Sequence, residues 1–156
     1  MTIQTNKVYT IGYGNEKIDN FIEKLKQNEI DLLVDVRSAP YSKWRPEFNT
    51  GNLREILKAS GIEYAWRGKK LGGFGQCDHE GGIEELQPLL AKYNRTCLMC
   101  SEENPDKCHR KQNLQPILER RGAEVIHIRF KEGKVEEKKS FNLSLFSDNI
   151  AESSNW

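Results

Sequence analysis

Apolar side chains along this chain recur with two different spacings. Short, nearly unbroken apolar runs at residues 7–12 (KVYTIG), 31–36 (DLLVDV), 62–66 (IEYAW), 95–100 (RTCLMC) and 124–130 (EVIHIRF) have the length of strands. The second run is apolar on both alternating faces, as a strand covered on both sides requires. Between the runs, apolar residues return every three or four positions, which is one face of a helix. These are Ile18, Phe21, Ile22 and Leu25; Leu53, Ile56 and Leu57; Ile83, Leu86, Leu89, Leu90 and Tyr93; and Leu114, Ile117 and Leu118. Gly61 and Gly122 end the second and fourth helices. Pro116 lacks a backbone donor, so it bends the last helix or marks a late start. Residues 37–50 carry two prolines and no period, which predicts a long loop, and residues 67–82 read as a glycine-rich irregular segment. Lys131-Glu132-Gly133 predicts a hairpin turn into a strand at 134–138.

Strands alternating with helices predict an α/β fold, a three-layer sandwich around a mainly parallel sheet with a C-terminal hairpin strand. One domain over residues 1–138 is expected, then a polar tail over 139–156. In such sheets ligands bind beyond the carboxyl ends of the strands. The chemically unusual residues fall there: Tyr13-Gly14 after the first strand, Asp35 to Arg37 ending the second, Arg67 after the third, and Cys100 to Arg110 after the fourth.

Composition narrows the function classes. The 156 residues include 24 Lys+Arg and 23 Asp+Glu, a formal net charge of +1. That balance excludes a protein that coats nucleic acid through bulk positive charge. It conceals an asymmetry, because the segment from Arg37 to Lys70 holds eight basic and three acidic residues. Tyr41, Trp44, Phe48, Tyr64 and Trp66 are interleaved there, and bases beside aromatic faces are how single strands or flipped nucleotides are held. No apolar run approaches the ~20 residues of a membrane span, so no membrane partner is expected. A cytoplasmic setting follows as the default, with Cys77, Cys97, Cys100 and Cys108 reduced.

The densest chemistry is CLMCSEENPDKCHR at residues 97–110. Cys97 and Cys100 lie three apart in a strand, so they face opposite sides, and Cys97 reads as a small buried hydrophobe. Cys108 and His109 stand near a helix start, where amide donors favour a thiolate or an anion, and Arg110 adds a fixed charge. The cysteines and His109 superficially resemble a zinc set. The two-residue gap lies inside a strand, however, and adjacent Cys108 and His109 are expected to reach one ion with difficulty, so no metal and no cofactor are assigned. The second concentration is VDVRSAPYSKWRPEFN, residues 34–49. A buried Asp35 needs a partner, either in an ion pair with Arg37 that fixes the loop or as an acid/base beside an anion-binding arginine. The tripeptide DVR invites comparison with rhodanese domains. It fails, because Cys100 is followed by an acidic loop, Ser101-Glu102-Glu103-Asn104-Pro105, instead of a cationic cradle.

Taken together, IGYG at 11–14, DVRSAPYS at 35–42, GIEY at 61–64 followed by LGG at 71–73, CSE at 100–102 and CHR at 108–110 resemble the bacterial and archaeal domain of unknown function 488. The motifs occur in the family's order across most of residues 7–130. The resemblance implies an α/β fold and supports the site positions, but it implies no particular reaction. Cys77, His79 and Cys97 lie outside its motifs. In the tail, Asn142-Leu143-Ser144-Leu145-Phe146 resembles the pentapeptide Gln-Leu-(Ser or Asp)-Leu-Phe by which bacterial repair and replication proteins dock on the sliding clamp. The rival is an amphipathic tail packed on its own domain.

The leading expectation is an enzyme acting on a nucleotide or nucleic acid, in DNA repair if the tail docks on the clamp. Asp35, Cys100, Glu102, Cys108 and His109 are its candidate catalytic residues. Tyr13, Gly14, Arg37, Ser42, Arg67 and Arg110 are its candidate anion- or substrate-binding residues. Cys100 or Cys108 would be the nucleophile, and Glu102 or Asp35 would transfer the proton. The alternatives are a non-catalytic module that binds nucleotide or DNA, and a small zinc or redox protein.

Overall fold

The computed structural model describes residues 7–130. Five parallel strands form one sheet: β1 (Lys7–Gly12), β2 (Leu32–Asp35), β3 (Glu63–Trp66), β4 (Thr96–Cys100) and β5 (Glu124–His127). Their spatial order is β3-β2-β4-β1-β5. The register aligns Gly12 with Cys100 across β1 and β4, and Asp35 with Met99 across β2 and β4. Three neighbouring strands thus end at one level.

Side chains alternate through the sheet as strand geometry demands. Leu32, Val34, Leu98 and Cys100 face one side; Leu33, Cys97 and Met99 face the other. On that second side pack α1 (Ile18–Gln27) and α2 (Thr50–Ala59), through Phe21, Leu25, Leu53 and Leu57. On the first side pack α4 (His79–Lys92) and α5 (Gln115–Arg120), through Ile83, Leu86, Ile117 and Leu118. Each such apolar side chain contributes roughly 1.5–3 kcal/mol on burial, so each helical stripe holds its helix to one face. The three-layer α/β sandwich read from the periodicity is present, and every described strand is parallel. The expected hairpin strand and the tail pentapeptide lie outside the described residues. No helix among the described residues is long and apolar enough to cross a membrane.

Two local expectations need correction. The segment after β3 is not wholly irregular: Gly68–Leu71 forms a short helix, α3, and α4 begins as early as His79. Asp78 caps α4 by accepting a hydrogen bond from the Gly81 amide at 2.9 Å, which starts the helix ahead of its first apolar residue. The loop after β2 likewise contains a 3₁₀ turn, Pro46–Phe48, with Pro46 at its start. Pro116 acts as a late start: Arg110–Leu114 is a turn of π-helix, and regular α-helix resumes at Gln115.

Candidate functional site

The loops leaving β1, β2 and β4 enclose an open cleft of about 640 Å³ over the carboxyl ends of the strands. Tyr13, Arg37, Arg45, Cys100, Glu102 and His109 are among the residues lining it. The β1–β4 pairing continues into these loops: Tyr13 N–H reaches Cys100 O at 3.3 Å, and Gly14 N–H reaches Ser101 O at 2.8 Å. Gly12 makes this approach possible, because a Cβ there would stand 1.7 Å from the carbonyl oxygen of Glu102.

Asp35 is fully buried at the end of β2. Its carboxylate accepts from Arg37 N–H at 3.1 Å, Arg37 Nε at 2.9 Å, Arg37 Nη2 at 2.7 Å and Tyr64 Oη at 2.5 Å. Arg37 also donates to Tyr13 Oη at 3.1 Å and to Phe48 O at 2.7 Å. Burial and the adjacent Asp35 charge raise the Tyr64 phenol above its ordinary value. Burial alone would lower Arg37, but its bonds to Asp35 outweigh that and raise it. Of the two readings left open for Asp35, the geometry gives the ion pair. The carboxylate does not line the cleft and has no lone pair left for proton transfer.

The second cluster follows β4. Pro105 and the Asn104 side chain, which accepts from Asp106 N–H at 3.0 Å, form a 3₁₀ turn that brings Cys108 back beneath Cys100. The two Sγ atoms lie 2.8 Å apart, both buried on the same side of the sheet. The widened π-turn then drops Arg110 inward, where it is wholly buried. Arg110 donates to Glu102 O at 2.6 Å and Glu103 O at 3.4 Å, while its Nε has no hydrogen-bond partner. The hydrogen bond from Cys108 pulls the Cys100 thiol well below its ordinary value despite burial, helped by the Arg110 charge. Cys108, as the donor, is pushed up. The pair therefore releases its first proton as a thiolate on Cys100. Cys97, on the opposite face, is raised by burial and is inert packing, as its strand position implied.

His109 is aimed by its backbone and a neighbour. Its Nε2 lies 3.2 Å from the Val36 carbonyl, which only accepts, so Nε2 carries the proton. Nδ1 is left as an acceptor 3.6 Å from Cys108 Sγ. Burial lowers the His109 pKa and keeps the ring neutral at pH 7. Gly73 allows the ring to lie there, since a Cβ at that position would come within 3.0 Å of Nδ1. His79, outside the anticipated set, stacks on His109 with centroids 6.3 Å apart and holds Gly72 O at 2.8 Å. Nothing in the linear sequence relates those two histidines.

Cys100, Cys108 and His109 place their ligand atoms within 4.8 Å of one another. The expectation that adjacent Cys108 and His109 could hardly serve one ion is therefore corrected. The sulfurs are nonetheless close for a metal pair, because two thiolates each about 2.3 Å from a tetrahedral zinc stand roughly 3.7 Å apart. Cys77 is turned to Phe74 O at 3.3 Å and is not part of the cluster.

Other anticipated residues separate. Tyr13, Gly14, Ser42 and Glu102 line the cleft with Arg37. Arg67 does not; it lies at the start of α3 and donates to Trp66 O. Arg110 lies under the cleft and not on its wall. The acidic loop is half neutralised, because Glu103 is buried and paired with Arg129 at 2.9 Å. The basic-aromatic segment does not build a single groove. Phe48 and Tyr64 are core residues, Trp66 donates to Arg37 O, and Arg45 donates to Gly14 O and Glu16 O. Tyr41, Trp44 and Phe74 are exposed, and Tyr41 and Phe74 line the cleft mouth.

Fold and site together define a parallel α/β protein with a paired-thiol site at the carboxyl rim of its sheet. The family described as Domain of unknown function DUF488 matches residues 17–80, so the resemblance read from the motifs is shown over that stretch. The stretch contains Asp35, Arg37 and the Leu71-Gly72-Gly73 turn, and it ends before the cysteines. No curated protein and no solved structure matches the chain.

Proposed function

We propose that the protein is a cysteine-dependent enzyme acting on a nucleotide or nucleic acid. The observation that carries this reading is the wholly buried Arg110, which has no carboxylate partner among the described residues and lies against the Cys100–Cys108 pair. An uncompensated buried charge costs several kcal/mol, and a thiolate on Cys100 relieves it. Cys100 is then the nucleophile. His109 Nδ1 and Glu102 are the proton-transfer groups, in place of Asp35. The exposed rings of Tyr41 and Phe74 at the cleft mouth suit a nucleobase by stacking, worth about 1–3 kcal/mol per base. Tyr13 and Arg37 line the wall beside them. Docking of residues 142–146 on the sliding clamp would bring this cleft to DNA, and removing residues 139–156 should then abolish capture by the clamp.

The test combines binding with thiol titration. Mononucleotides and a short single-stranded oligonucleotide should quench the fluorescence of exposed Trp44, and alkylation of Cys100 should proceed with a midpoint well below pH 8.5. No binding of any base-bearing ligand, together with thiols of ordinary reactivity, would refute the reading. Binding with ordinary thiols would favour a non-catalytic module.

A further inference from the structure

The Cys100–Cys108 contact carries an inference that does not rest on the nucleotide reading. Its Sγ–Sγ distance of 2.8 Å is shorter than the roughly 3.5–4.0 Å of packed apolar atoms. It is also about 0.9 Å shorter than two sulfurs sharing a tetrahedral metal, and about 0.8 Å longer than a disulfide bond. Cys100 and Cys108 are both among the residues lining the open cleft, which is the side from which a small reactant would approach them. Cys100 is anchored at a strand end paired with Gly12, and Cys108 is set between a 3₁₀ turn and the π-turn, so closure asks for a movement of only about 0.8 Å between the two sulfurs.

We propose that Cys100 and Cys108 form a reversible disulfide site that exchanges with low-molecular-mass disulfides entering the cleft. The Cys100 thiolate attacks one sulfur of the small disulfide. A mixed disulfide forms on Cys100, and one small thiolate leaves. Cys108 passes its proton to His109 Nδ1, 3.6 Å away, and attacks Cys100 Sγ. That step breaks the mixed disulfide and releases the second small thiolate. The two leaving thiolates take up protons, one from His109 and one from solvent. Two protein sulfurs are oxidised and one small disulfide is reduced to two thiols. The depressed proton affinity of Cys100 and the raised one of Cys108 match the attacking and resolving roles. Closure removes the thiolate facing Arg110, so the oxidised site has no nucleophile.

The full-length chain incubated with oxidised glutathione tests this by intact mass and peptide mapping. The wild type should lose two hydrogens, with Cys100 and Cys108 cross-linked, and regain them under reduced glutathione. Cys108→Ser and the smaller Cys108→Ala should each stop at one stable glutathionyl group on Cys100. A wild type that keeps a stable adduct on Cys100, is modified only at half-exposed Cys77, or stays reduced throughout would overturn the proposal. The wild-type measurement does not depend on any variant folding. Nucleotide binding can fail while cross-linking succeeds, so the two readings are separable.

Discussion

Two arginines are buried at the ends of neighbouring strands, and their surroundings differ in one respect. Arg37, after β2, has the Asp35 carboxylate on two of its nitrogens, the Tyr13 hydroxyl on the third, and the Phe48 carbonyl besides. Arg110, after β4, has only carbonyl partners, an unpartnered Nε and two sulfurs. The first is a closed network whose charge is neutralised where it stands, and it shapes the loop wall. The second holds a positive charge against two thiols, with no carboxylate oxygen on any of its nitrogens among the described residues. Arginine at the rim of a parallel sheet is thus not by itself an anion site. The ionisation of its neighbours decides whether it serves as a strut or as the electrostatic support of a reactive group.

The contrast breaks most severely at Asp35. Asp35→Ala strands a buried guanidinium and should destabilise the protein by about 3–5 kcal/mol. Urea denaturation would show it, and a loss below about 1 kcal/mol would mean Arg37 has other relief. A pH effect of comparable size comes from His127, beside Arg110. Its Nδ1 lies 2.6 Å from Thr10 Oγ1 and its Nε2 2.8 Å from Gln115 Oε1, so both ring nitrogens are engaged. Burial first, then the Arg110 and Lys111 charges, lower its pKa to about 3. The unfolded chain takes up the proton near pH 6.5 and the folded one does not. The neutral-ring contribution is complete above pH 6.5. It should fall by up to about 1.4 kcal/mol per pH unit as the pH drops toward 3. His127→Gln should flatten that slope in denaturation curves taken between pH 4 and 7; an unchanged slope would assign the acid sensitivity elsewhere.

Arg110→Met sharpens the comparison by removing charge while keeping bulk. The alkylation midpoint of Cys100 should rise by about one to two pH units. Folding stability should stay within about 1 kcal/mol of wild type, because a buried charge without a carboxylate partner is no net gain. A large loss of stability with an unmoved thiol would make Arg110 a strut like Arg37. The smallest effect is expected for Tyr64→Phe, which deletes one of four bonds to Asp35. About 1 kcal/mol should be lost with the Cys100 alkylation profile unmoved, and a shifted profile would show that the two networks are coupled.

Much of the rim is legible in the amino-acid sequence. The strand ends at Gly12, Asp35 and Cys100 follow from apolar runs, and the rule for parallel sheets places Tyr13, Arg37 and Cys100 on one rim. The Asp35–Arg37 pair is local, two residues apart, so a buried aspartate announced its partner. What periodicity could not show were turns set by a few hydrogen bonds. The Asn104–Pro105 turn, the π-turn at Arg110 and the short helix at Gly68 leave no repeating apolar signal. A composition count also could not separate Phe48 and Tyr64, which pack inward, from Tyr41 and Trp44, which remain outside.

By itself, the sequence determined the layering of this protein, the parallel sheet and the rim on which its unusual residues gather, because periodicity records burial residue by residue. Only the tertiary structure decided which of those residues act together. It closed Asp35 away behind Arg37, turned Glu103 to Arg129, and brought Cys108, His109 and Arg110 under Cys100. Proton affinity and charge pairing depend on distances across loops, and linear spacing does not contain those distances.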